Sequence, residues 1–179
     1  IHFKTNSQQL RPLGRSTKGV KSMKLKGDDE LISMDIIPSQ IVATIDTSVD
    51  DEDDDDSGEE LIDEAVDQGP WLLAITKNGY GKRVPIGKFR LQNRAGMGVR
   101  AIKFKSKDDR LVAIDIVNLE DELMIVTNRG IMIRQAVKAI SLQSRNATGV
   151  RVQRLDKDDA IAAVAPVPPL EEEGEETEE

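Results

Sequence analysis

Nine cations recur at matched positions in this 179-residue chain. Lys4, Arg83 and Arg134 each stand four residues after the place of a turn glycine, which is position 0 by count, Gly79 and Gly130. Arg15, Arg94 and Arg145 each stand four residues before a second glycine, at 19, 98 and 149. Lys21, Arg100 and Arg151 each stand two residues after it. Cations repeated at a fixed interval form a track rather than a spot, and a track suits a polymer whose phosphates recur regularly. Binding of that kind releases condensed counterions and falls steeply with salt. It positions a duplex but reads little of its sequence. Arg11, Lys18, Lys82 and Arg90 complete the candidate DNA-binding set. Surface solvation would explain any one of these residues. It explains the repeated set poorly.

Net charge hides this track. The chain carries 25 Lys and Arg against 33 Asp and Glu, a net of −8. Thirteen of the acids lie in 38–70 and seven in 168–179, and neither stretch holds a basic residue. The rest therefore carries all 25 cations against 13 acids, a net of +12. A basic body is the electrostatic footprint of a polyanion binder.

Three ungapped segments must position the cations. They begin Gly14-Arg15-Ser16-Thr17-Lys18-Gly19-Val20-Lys21, Asn93-Arg94-Ala95-Gly96-Met97-Gly98-Val99-Arg100 and Ser144-Arg145-Asn146-Ala147-Thr148-Gly149-Val150-Arg151. An Asp-Asp pair follows each, at 28–29, 108–109 and 158–159. Gly98 to Gly149 spans 51 residues and Gly19 to Gly98 spans 79; the acidic stretch 38–70 supplies the excess as an insertion. Thr76-Lys77-Asn78-Gly79 and Thr127-Asn128-Arg129-Gly130 each close an apolar run, with each Gly 19 residues before the next landmark Gly. The chain thus divides into a truncated repeat at 1–37, the insertion at 38–70, complete repeats at 71–118 and 119–167, and an acidic tail at 168–179.

Each repeat reads as strands. Trp71–Thr76 and Leu123–Thr127 are short apolar runs ending in Gly turns, a hairpin signal. Val99–Lys105 alternates apolar and basic residues, the pattern of a half-buried strand. Leu111–Val117 suits a more buried one. The Asp pairs sit between strands, where Asp favours a turn. Gly96, Gly98 and Gly149 suit positive φ in the loops that present arginine. Four short strands in about 50 residues is the period of a propeller-like blade. The fold class is all-β, with about two and a half blades. Two and a half blades cannot close a ring, so further blades are expected before Ile1.

Asp50–Glu60 is a block of like charge, expected to stay disordered. Leu61–Val66 could add one helical turn. The block lacks the Asp-x-Asp-x-Asp-Gly spacing of a calcium loop. An acidic run beside a basic body can also compete with phosphate for it; the tail carries the same reading. With no cysteine and a single histidine, His2, the chain has no thiol nucleophile, Cys-type zinc site or His-centred triad. Tyr80, the only tyrosine, reads as a packing residue of its turn, with no base or metal constellation beside it. No apolar run reaches the length of a membrane span, and no signal peptide opens the chain.

These motifs resemble the C-terminal domain of DNA gyrase A subunits. Thr76-Lys77-Asn78-Gly79-Tyr80-Gly81-Lys82-Arg83-Val84-Pro85 and Arg11-Pro12-Leu13-Gly14-Arg15-Ser16-Thr17-Lys18-Gly19-Val20 look like that family's blade signature. The likeness covers 1–37 and 71–167. It implies a six-bladed β-pinwheel that wraps duplex DNA around its rim, so that the enzyme introduces negative supercoils using ATP. The family's Gln-Arg-Arg-Gly-Gly-x-Gly box is present here only as a degenerate copy: Gln92, Asn93, Arg94, Ala95, Gly96, Met97 and Gly98. Gln143–Gly149 is more remote, and an intact box is expected before Ile1. The long acidic insertion departs from the common pattern. The partners implied are duplex DNA, the rest of a dimeric gyrase A protein, and the gyrase B protein in an A2B2 heterotetramer, with no membrane. ATP and Mg2+ would be used elsewhere in that assembly, and no catalytic residue or metal site would lie in this chain. The location implied is cytoplasmic and nucleoid-associated, an organellar one staying open. The corresponding domain of topoisomerase IV and a propeller-like scaffold for protein partners are the alternatives.

Overall fold

A computed structural model of the chain describes residues 1–6, 8–39 and 69–167. The expected disordered insertion and tail, including Leu61–Val66, lie outside them except for the insertion's ends at 38–39 and 69–70. Among the described residues seven strands form two antiparallel sheets. The architecture is all-β and propeller-like.

β1 (Trp71–Thr76) and β2 (Tyr80–Pro85) form the first hairpin. Its turn closes with the Gly79 amide donating to the Thr76 carbonyl at 3.1 Å. β3 (Leu111–Val117) pairs with the other edge of β1. β4 (Glu122–Thr127) and β5 (Met132–Ala136) repeat the hairpin, and β7 (Ile161–Val167) repeats the pairing of β3. A one-residue register shift falls at the same place in both, between Ile75 and Thr76 and between Val126 and Thr127. The repeat in the sequence is therefore a repeat in hydrogen bonding.

With β6 (Val150–Arg151), the first sheet runs β3-β1-β2-β6, and the second runs β5-β4-β7. The short β6 pairs with Tyr80 and Gly81 of the preceding repeat. Two expectations change here. The fourth strand of the first sheet comes from the next repeat, not its own. Val99–Lys105 forms no strand, because an alternating pattern makes a ladder only where a partner edge is present. No strand forms within 1–37 among the described residues either.

One core serves both sheets. Leu73, Ile75, Ala113 and Val117 meet Leu123, Ile125, Val137, Ile140 and Ile161. Truncating a buried Leu or Ile of this kind to Ala costs about 2–5 kcal/mol. The first repeat adds to the body through its loops: the Ser33 hydroxyl donates to the Ile114 carbonyl at 3.0 Å, and Asp35 accepts from the Ile116 amide at 2.8 Å.

Candidate nucleic-acid interface

The box-like loops are built across repeat boundaries. Loop 143–149 lies on the hairpin of the repeat before it. Gly149, with φ 90, places its Cα so near Gly81 that a Cβ would meet the Gly81 carbonyl oxygen at 2.6 Å. Gly79, with φ 83, is held as closely, since its Cβ would meet the Gln153 oxygen at 2.3 Å. No side chain fits in either place, and the positive φ disfavours one as well. The Val152 amide closes the joint by donating to the Gly79 carbonyl at 2.9 Å.

Lys82 explains how the loop keeps its shape. Its side chain is fully buried. Its Nζ donates to the carbonyls of Ser144, Arg145 and Ala147 at 2.6, 2.7 and 2.7 Å. Burial, and then the Arg145 guanidinium, push this ammonium down to about 7. Three carbonyls oppose that shift, because only the charged form has a donor for each. Arg83 is fully buried as well. Its guanidinium carbon lies 4.7 Å from the Trp71 ring centroid, and its Nε donates to the Ile140 carbonyl at 2.6 Å. Lys82 and Arg83 were expected to face DNA. The structure turns both inward, because a loop from the next repeat covers β2.

Arg94 and Arg145 show a relationship that the sequence alignment alone does not. Arg94 donates through Nε to the Gln9 carbonyl and through Nη1 to the Lys21 carbonyl, both at 2.8 Å. Arg145 donates through Nη1 to the Arg100 carbonyl at 3.4 Å. Lys21 and Arg100 are equivalent residues, so each loop arginine reaches back to the same backbone position one repeat earlier. The rest of loop 92–98 is tied down similarly. The Gln92 amide donates to His2, the Ala95 amide to Ser22, and the Gly96 carbonyl accepts from Lys24, at 2.7 to 2.8 Å. Asn93 accepts from the Gln9 side chain at 2.9 Å. Gly98 takes φ 78 beside Ile1, whereas Met97 stays exposed. Positive φ therefore appears at Gly98 and Gly149 as expected, and at Ala95 rather than Gly96.

The exposed members of the expected set are Lys4, Arg11, Arg15, Lys18, Lys21, Arg100, Arg134 and Arg151, while Arg90, Arg94 and Arg145 are half-buried. Arg134 is engaged by Glu122 across the β4–β5 pair. The position two residues after each landmark glycine is the one that keeps its cation exposed in all three repeats.

Two features escaped the sequence reading. Tyr80 does more than pack on its turn. Its hydroxyl accepts from Arg151 Nη2 at 2.8 Å, and the Arg151 and Lys105 cations lie 5.2 and 4.9 Å from its ring centroid. Hydrogen bonding from Lys105, outweighing some desolvation and aided by both positive charges, holds its phenol below the ordinary tyrosine range. Lys105 ends an alternating run that pointed to a strand, which concealed this role. The second feature is the Asp-Asp pair. Asp109 accepts from the Asn78 amide at 3.0 Å and its own neighbour Arg110 at 2.9 Å. Asp159 likewise accepts from Arg129 at 3.2 Å and Ala160 at 2.8 Å. The second Asp of the last two pairs thus binds the hairpin turn some thirty residues earlier.

Comparison with known proteins agrees with this architecture. The family model for the DNA gyrase C-terminal domain, beta-propeller, matches residues 3–38, 70–118 and 121–168. The DNA gyrase A protein of Synechocystis sp. is 65% identical over 176 residues, 97% of this chain and 20% of that protein. The chloroplastic/mitochondrial DNA gyrase A protein of Arabidopsis thaliana is 37% identical over 172 residues, 92% of this chain and 17% of that protein. The chain thus spans about a fifth of the length of these relatives. A solved DNA gyrase A C-terminal domain superposes with a TM-score of 0.51 at 30% identity, over 56% of this chain and 34% of that one. With its repeats, its cross-repeat loops and these matches in agreement, the chain belongs to the DNA gyrase C-terminal domain, beta-propeller, family.

Proposed function

We propose that this chain is the segment of a DNA gyrase A protein that binds and wraps duplex DNA, in support of ATP-dependent negative supercoiling. The observation that carries this reading is that Lys21, Arg100 and Arg151, at the same place in three repeats, are all exposed. Arg94 and Arg145 hold the first two of these at the backbone, so the repeat interval is fixed by hydrogen bonds rather than by loose loops. A line of charge held at a constant interval neutralises phosphates along a curved path, and the bend of the duplex is offset by the added contacts.

The partners in this reading are duplex DNA, the rest of a dimeric gyrase A protein, and the gyrase B protein in an A2B2 heterotetramer. ATP and magnesium act in other parts of that assembly. The compartment is the one that holds the DNA: a bacterial cytoplasm with its nucleoid, or an organelle in a plant setting. Ligation of a nicked circle in the presence of the full-length protein tests the wrapping. The expected result is a shift in linking number that disappears at high salt. An unshifted distribution at a protein concentration that coats the circle contradicts the reading.

A further inference from the structure

The cluster of Tyr80, Lys105 and Arg151 joins two repeats at one aromatic ring. Arg151 donates to the Tyr80 hydroxyl at 2.8 Å, and the Lys105 ammonium lies 4.9 Å from the centroid of the same ring. Both cations are exposed, and neither pairs with a carboxylate among the described residues. The nearest acidic residue along the loop, Asp108, is held below the usual carboxylate range by hydrogen bonding from Ser106 and by the charge of Lys77. Two full positive charges thus converge on a neutral phenol that cannot balance them. A phosphate offers these cations an ionised acceptor with full opposite charge, where the phenol offers only a neutral one. A phosphate arriving at this point gains a charge-assisted bond from each cation, and the phenol can turn its proton to donate a third.

We propose that Tyr80, Lys105 and Arg151 form a single seat for one backbone phosphate of duplex DNA. The seat rests on the DNA-binding reading above and deepens it. It draws Lys105 and Arg151 from successive repeats, so it marks where the phosphate path crosses from one repeat to the next. Arg151 approaches the ring from β6, the strand that pairs with Tyr80 itself. That pairing fixes the seat's geometry before DNA arrives.

The test is the salt dependence of duplex affinity, measured with the full-length protein. Neutralising a contact to one phosphate lowers the slope of log affinity against log salt by about 0.9. The double variant Lys105→Gln/Arg151→Gln should therefore lose about 0.9 in slope, and each single variant less, because the remaining cation still holds the phosphate. Tyr80→Phe should weaken binding about two- to tenfold with the slope unchanged, since it removes a donor and no charge. The charge-keeping pair Lys105→Arg/Arg151→Lys should keep the parent slope. A double variant that loses about 1.8, two separate phosphates, or nothing at all overturns the seat. So does a Tyr80→Phe variant that binds as the parent does. If the parent itself shows no salt-dependent duplex affinity, the DNA-binding reading fails, and the seat with it.

Discussion

The Nη1 of Arg94 donates to the backbone carbonyl of Lys21 at 2.8 Å, across 73 residues of sequence. Arg145 repeats this contact with Arg100, the equivalent of Lys21. A loop arginine therefore serves as a strut for the exposed cation of the repeat before it. The box-like loops are thus joints between repeats.

Arg94→Ala removes two charged donors from the carbonyls of Gln9 and Lys21. Hydrogen bonds to charged groups contribute about 1.5–3 kcal/mol each, shared here with solvent because the site is partly open. The expected result is local loosening. Hydrogen exchange at the amides of Ala95 and Lys24 should speed about tenfold or more, with the β1–β2 ladder unaffected.

Lys82→Met leaves three loop carbonyls, the Ala147 one buried, without their shared donor. Loss of about 3 kcal/mol is expected. Duplex affinity should fall as well, although Lys82 itself is buried, because the loop carrying Arg145 loses its anchor. Urea unfolding followed through Trp71, the chain's single tryptophan, measures the first effect.

The same lysine predicts a pH dependence. Its folded value of about 7 lies below its ordinary 10.5. Between those values the unfolded chain keeps a proton that the folded chain has released. Stability therefore rises with pH through that window, and the cost of burying the charge is fully felt below it. The urea midpoint should climb from pH 7 to pH 9 in the parent. In Lys82→Met that climb should be missing.

Asp109→Ala should break the link between the Asp-Asp turn and the β1–β2 turn, freeing the amides of Asn78 and Arg110. The expected cost is about 1–3 kcal/mol. Asp109→Asn keeps an acceptor and should recover part of it, as read from unfolding midpoints.

Much of this was legible in sequence. The apolar runs located β1, β3 and β4, since a short buried run bounded by Gly turns has few other solutions. The cation positions at 21, 100 and 151 stayed exposed as expected. What failed was any inference that needed the neighbouring repeat. Lys82 and Arg83 read as surface charge because nothing within their own hairpin covers them; the loop that does so lies 62 to 65 residues away. A signal for Lys82 was present. The equivalent positions hold Phe3 and Ile133, so two repeats out of three place an apolar side chain there. Val99–Lys105 failed for the opposite reason. Its equivalent, Val150–Arg151, is a strand only where Tyr80 and Gly81 supply an edge. The acidic run 50–60 was read from charge alone, and charge alone predicts that its deletion strengthens duplex binding at low salt.

The central claim is that Lys21, Arg100 and Arg151 make one track for duplex DNA. The most direct measurement is the slope of log affinity against log salt for the full-length protein and its Lys21→Gln/Arg100→Gln/Arg151→Gln variant. The track predicts that the slope falls by about 2–3, with the fold intact because all three side chains are exposed. A variant that keeps both the slope and the affinity of the parent contradicts it.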